Sequence, residues 1–149
     1  MRAVVQRVLH ADVTADGSPV ACIGRGLTVF LGLAHGDTET DARWMAGKCS
    51  NLRIFDDDQG IMNRSLRDVE GELLLVSQFT LLADARKGRR PSYQGALDPE
   101  HARELFERCT EIFHEEYPRL ATGRFQTDMQ VALVNDGPVT ILLDSRKTF

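Results

Sequence analysis

Hydrophobic and polar positions alternate from the first residue. Over residues 1–14, Ala3, Val5, Arg7 and Leu9 fall on one face and Val4, Gln6, Val8 and His10 on the other, the period of a strand. Ala15-Asp16-Gly17-Ser18-Pro19 reads as a turn, and residues 20–23 as a short strand. After Gly24-Arg25-Gly26, residues 27–33 are nearly all apolar, which predicts a strand covered on both faces. Thr38 with Asp41 is a variant capping box, and Ala42, Met45, Ala46 and Cys49 follow at helical spacing. Ile54-Phe55 predicts a brief strand. Asp56-Asp57-Asp58-Gln59-Gly60 then reads as a solvated turn, lacking the alternate ligands and closing Glu of a calcium loop.

Residues 73–82 form the most apolar strand, and 83–96 a long polar, basic loop. Asp98 and Pro99 mark a second helix start, as N-cap and first helical residue. Ala102, Leu105, Phe106, Cys109, Ile112, Phe113 and Tyr117 make one helical stripe, and Pro118 stops it. Phe125, Thr127, Met129, Val131 and Leu133 alternate with polar residues as a strand. Asn135-Asp136-Gly137-Pro138 then turns the chain into a last strand over 139–143. About seven strands, several joined by tight turns, and two helices predict an α+β fold. Its form is a curled, barrel-like, mainly antiparallel sheet with two principal helices packed against it, a single domain over 1–149.

Composition adds limits. At 149 residues, 42% hydrophobic and 27% charged, the chain is large enough for its own core. No apolar stretch approaches the ~18 residues of a membrane span, and the opening residues become charged too soon for a signal peptide. A cytoplasmic protein without membrane contact is expected. The net charge of -4 confines any nucleic-acid contact to a local patch. Cys22, Cys49 and Cys109 are odd in number and form no CxxC pair, which fits neither a disulfide framework nor a zinc site. Cys49 and Cys109 fall on apolar helical stripes and read as core packing.

Common catalytic patterns are missing: no G-x-S-x-G, P-loop, G-x-G-x-x-G or H-E-x-x-H. The four histidines stand in unrelated contexts. Two segments break local rules, where function is expected. Ser77-Gln78-Phe79-Thr80 interrupts the most apolar strand. Either the strand emerges from the core there, or it ends with its N–H groups and hydroxyls lining a cleft. In Asn135-Asp136-Gly137-Pro138-Val139-Thr140, Asp-Gly signals a hairpin, yet Pro138 denies the returning strand a donor. Arg86, Lys87, Arg89 and Arg90, with Tyr93 just beyond, are either a solvated loop or a phosphate contact. Arg7 puts a charge on an apolar face. Either that face lies at an edge, or carbonyls or a carboxylate hold the buried guanidinium.

Ser77-Gln78-Phe79-Thr80-Leu81 and Asn135-Asp136-Gly137-Pro138-Val139-Thr140 resemble the paired signature motifs of the D-aminoacyl-tRNA deacylases. Residues 1–8 and Arg89-Arg90-Pro91-Ser92-Tyr93 resemble the same family, in the same order over essentially the whole chain. The resemblance implies a homodimer in which each Gly137-Pro138 loop, with a cis peptide, reaches into the partner's active site and sets chirality. It implies hydrolysis of the ester joining a D-amino acid to the 3′-terminal adenosine of tRNA, with glycine accepted and L-residues rejected. No metal or organic cofactor is implied. Ser77, Gln78, Phe79 and Thr80 become the catalytic set, with backbone N–H groups around Phe79 and Thr80 as oxyanion donors. Arg7, Phe125 and Met129 support pocket or motif, and Arg86, Lys87, Arg89 and Arg90 contact tRNA. Two alternatives stand beside it. One is a hydrolase of small esters or peptides with Thr80 or Ser77 as nucleophile; the other is a non-catalytic RNA-binding module using residues 86–90.

Overall fold

A computed structural model describes residues 1–148, so Phe149, the end of the expected domain, lies outside the described residues. The elements in order are β1 (Arg2–Ala15), β2 (Ser18–Ile23), β3 (Gly26–Gly32), α1 (Glu39–Asn51), β4 (Phe55–Asp56) and β5 (Met62–Arg64). They continue with β6 (Glu72–Ser77), α2 (Pro99–Glu116), β7 (Leu120–Thr122) and β8 (Met129–Asp144). β1 is the axis. β8 runs antiparallel along one edge of it, while the other edge is shared by β3, opposite residues 2–8, and β2, opposite residues 11–15.

β3, β6 and β7 are parallel neighbours, and parallel strands need long crossovers. The segments carrying α1 and α2 supply them. The sheet is therefore mixed, antiparallel around β1 and parallel beyond β3, and β2 comes back against β6 and β7 to curl it towards a barrel. Both helix starts hold. The Thr38 N–H donates to the Asp41 carboxylate at 2.9 Å, and Asp98, ahead of Pro99, accepts from the His101 N–H at 3.3 Å. Among the described residues, no helix is long and apolar enough to cross a membrane.

β6 explains its own composition. Leu73 and Leu75 enter the core between sheet and helices, with Val5, Phe55 and Phe113, whereas Leu74 and Val76 enter a second core inside the curl, with Val8, Val13 and Ile23. Burial on both faces requires a continuous apolar run. Cys49 and Cys109 also lie in the first core, where burial pushes both thiols up to about 12. Cys22 is exposed, and no disulfide forms.

Four expectations need correction. The strand expected over 73–82 stops at Ser77 and becomes a single 3₁₀ turn, Phe79–Leu82. The strand expected from Phe125 begins only at Met129, because Gln126 takes a φ of +57° and breaks the extended chain. β5 and β7 are added strands, each too short, at Met62–Arg64 and Leu120–Thr122, to show a period. The hairpin expected at 135–138 is absent: β8 is one strand, and both its halves pair with β1. Gln6 faces Thr140 and Val8 faces Asn135, so residues 136–139 bulge out of the ladder opposite Arg7. The donor that Pro138 lacks thus falls where the ladder is already interrupted. The same irregularity breaks the alternation of β1. Val8 and Ala11 are both buried, and Leu9 is left exposed.

Candidate active site

The site begins where β6 ends. Ser77 is the last residue of β6, opposite Leu31, and the Gln78 N–H still donates to the Leu31 carbonyl at 2.8 Å. Gln78, at φ −149° and ψ 84°, then swings the chain into the 3₁₀ turn. The first bond of that turn joins the Leu81 N–H to the Gln78 carbonyl at 3.3 Å. The N–H groups of Phe79 and Thr80 precede it, so the turn does not use them. Gly32 lets this turn lie against β3, since a Cβ there would stand 2.9 Å from the Gln78 carbonyl oxygen and 2.5 Å from the Leu82 side chain.

Ser77, Gln78 and Phe79 line a cleft of about 730 Å³, which Phe125, Met129 and Val131 face from the other wall. That volume suits a small-molecule ligand. Phe125 is fixed from behind: its ring packs at 5.5 Å from Phe106, and the Arg103 guanidinium lies 5.3 Å over it. The Thr127 hydroxyl closes the turn onto the Arg124 and Phe125 carbonyls, each at 3.2 Å. Gly123 ties that turn to β6 by donating to the Leu75 carbonyl at 2.9 Å. The end of β6 and the 125–131 segment, far apart in sequence, therefore meet across one cleft.

Thr80 does not line the cleft. Its hydroxyl accepts a short hydrogen bond from the Gln78 amide, a donor that cannot take its proton. The carboxylates on the cleft wall are Asp98 and Asp128. Asp98 is occupied with capping α2, and its hydrogen bond to the His101 ring holds its carboxyl below the usual range.

Arg7 meets the second of its two descriptions. It is buried, and it donates to the Ile54 carbonyl at 2.6 Å and the Asp136 carbonyl at 3.1 Å. The Asp136 and Asp56 carboxylates lie at 3.2 and 3.5 Å. It thus anchors the start of the 136–139 bulge. Gly137 and Pro138 themselves are exposed, joined by a cis peptide, and absent from the cleft wall of their own chain. Met129 on that wall and Asn135 before the bulge are six strand steps apart, ~20 Å.

The basic run divides. Arg86 is taken up by Asp84, at 2.6 and 2.9 Å, and that guanidinium holds the Asp84 carboxyl well below the usual range. Lys87, Arg89 and Arg90 are exposed and, among the described residues, lack a carboxylate partner. Sequence reasoning missed Tyr93, Asp98 and Pro99 as cleft residues. Tyr93 had one signal, an aromatic beside a basic run. The other two read only as a helix start, and nothing local says which way a helix start faces.

A ligand-sized cleft at a strand end of a curled, mixed α+β sheet defines the class, a small α+β domain with a cleft beside the end of β6. The family model described as D-Tyr-tRNA(Tyr) deacylase matches residues 4–144. The D-aminoacyl-tRNA deacylase of Desulfitobacterium hafniense (strain DSM 10664 / DCB-2) is 54% identical over 149 residues, 100% of both chains. That of Geobacter sulfurreducens is 53% identical over 146 residues, 98% of this chain and 96% of the relative. A solved structure titled c-Myc DNA Unwinding Element Binding Protein superposes with a TM-score of 0.91 at 40% identity, covering 97% of this chain and 98% of that one. The chain belongs to the D-Tyr-tRNA(Tyr) deacylase family.

Proposed function

We propose that the chain carries out its family's reaction, hydrolysing the ester between a D-amino acid and the 3′-terminal adenosine of tRNA, at the strand end of β6. One observation carries the assignment of the site: the N–H groups of Phe79 and Thr80 stand ahead of the first bond of their turn, beside the cleft. An aminoacyl ester is already activated, so catalysis needs oxyanion stabilisation, a positioned water and proton transfer. A single preorganised donor contributes about 3–4 kcal/mol to such a transition state. The 2′-hydroxyl of the terminal ribose helps to activate the water, so no histidine or glutamate base is required. Thr80 contributes through its backbone, because the Gln78 amide beside its hydroxyl is no base.

The active unit is a homodimer in which Gly137 and Pro138 of one protomer wall the partner's cleft. Two features support this. The bulge that carries them is anchored by Arg7 yet stands away from its own cleft. The outer edge of β8, 16 residues long, has no partner strand among the described residues and exposes Val134 and Leu142, a surface that monomers normally protect. An L-residue would project its side chain into this wall, a D-residue away from it, and glycine has nothing to exclude. Lys87, Arg89 and Arg90 take tRNA phosphates, and the protein works in the cytoplasm.

The deciding assay is release of D-tyrosine and L-tyrosine from charged tRNA, with D-alanyl-, L-alanyl- and glycyl-tRNA alongside and light scattering at assay concentration. Rapid release of D-residues and glycine by a dimer is expected. Ready hydrolysis of L-alanyl-tRNA, or full activity in a monomer, would overturn the shared wall.

A further inference from the structure

One feature of the cleft mouth has no task in that reaction. Phe79 and Tyr93 are 59% and 40% exposed, and their rings meet edge to face at 5.1 Å and 66°. Both line the cleft. Tyr93 is held on pinned backbone. Ser92 and Asp84 exchange N–H···O=C bonds of 2.9 and 2.7 Å, and the Ala96 N–H donates to the Tyr93 carbonyl at 2.9 Å. Ala96 in turn bridges Ala34. The same Asp84–Ser92 pair closes the loop that carries Lys87, Arg89 and Arg90, cations without a carboxylate partner among the described residues, in a chain of net charge -4.

An exposed π-face on rigid backbone beside unpaired cations suits a nucleotide: the ring stacks a base and the cations meet its phosphate. A protein partner would favour a broader apolar patch than two rings flanked by charge. The proposed reaction, on which this inference rests, puts the terminal adenosine in the cleft. The preceding nucleotide, single-stranded and covalently attached, must then leave through the mouth. We propose that Tyr93, braced by Phe79, is a stacking ledge for the base of that preceding nucleotide, with its phosphate facing the 86–90 loop.

A cycle between protein and substrate tests it, using D-tyrosyl-tRNA with either a normal or an abasic residue before the terminal adenosine. With the unaltered protein, removing the base is expected to lower kcat/KM about tenfold, ~1.4 kcal/mol. Tyr93→Ala should cost about the same on the normal substrate and almost nothing more on the abasic one, because the two changes delete one contact. Tyr93→Phe should keep the wild-type response, and Tyr93→Leu, which fills the space without a π-face, should behave as Tyr93→Ala. Losses that multiply independently, or a base whose removal changes nothing, would overturn the ledge. An unaltered protein that releases no D-tyrosine from normal charged tRNA would instead overturn the reading of the cleft itself.

Discussion

Replacing Arg7 with Met tests whether one buried cation governs the 136–139 bulge. The change keeps much of the side-chain volume and removes every donor. Two hydrogen bonds from a charged group to carbonyls are lost, those to Ile54 and Asp136 at 2.6 and 3.1 Å. Each contributes about 1.5–3 kcal/mol. The carboxylates add less: Asp56 is 49% and Asp136 31% exposed, and water screens both. A loss of about 3–6 kcal/mol follows, large against the ~5–15 kcal/mol stability of an ordinary domain but not enough to unfold most of them. At ~2–4 °C per kcal/mol for a chain of this size, the melting temperature should fall by roughly 6–24 °C. Arg7→Lys should recover only part, since one ammonium on a flexible stem cannot bridge both carbonyls as a guanidinium fork does.

The same substitution has a functional arm. With Asp136 released, the proposed wall that follows it would lose its anchor, so L-tyrosine release should rise relative to D-tyrosine release more than overall activity falls. Urea denaturation and paired D- and L-tyrosyl-tRNA deacylation read the two arms. A stability loss below ~1 kcal/mol would show that the guanidinium bonds are idle. A large loss with unchanged discrimination would show that Arg7 holds the fold and not the wall.

Thr80→Ala keeps the backbone donor and removes the hydroxyl, so deacylation should fall by about tenfold at most, ~1.4 kcal/mol. A loss of several orders of magnitude, with fold and tRNA binding intact, would restore Thr80 as nucleophile. Thiol labelling of the native protein should modify Cys22 alone, since burial pushes Cys49 and Cys109 up to about 12. Denaturation should expose all three, and native labelling of either buried thiol would contradict the packing of the helix–sheet core.

Elements with a period or a punctuating residue were legible in the sequence. β1 to β3, both helix starts and the doubly buried β6 follow from alternation, capping residues and a continuous apolar run. The misreadings at 135–138 and 73–82 share one cause: local pattern does not report where a neighbouring strand lies. Residues 135–138 carry the chemistry of a hairpin, yet β1 pairs with both flanks and turns the hairpin into a bulge. Leu81 and Leu82 are as apolar as Leu74, but the β3 partner ends at Gly32 and the chain coils once it is gone. At the site, the broken pattern of 77–80 marked the strand end. The placing of Phe125 opposite it came from family resemblance, because a contact across the sheet leaves no trace in spacing.

A mechanism built on backbone donors accounts for what motif searching could not find. Nucleophile–base sites advertise themselves through residue types, because only a few side chains carry the needed pKa. Backbone N–H groups belong to every residue except proline, so the catalytic use proposed for them is written in where a strand stops, as at Ser77, and not in which side chains follow. The proposed chirality wall obeys the same logic. A side-chain pocket contacting one substrate side chain would discriminate among amino acids by size, and its selectivity would vary from residue to residue. Backbone at Gly137 and Pro138 meets only the position that D- and L-residues exchange, so it rejects by configuration whatever the side chain. That generality has one necessary consequence. Glycine presents hydrogen at both positions, and no wall of this kind can turn it away.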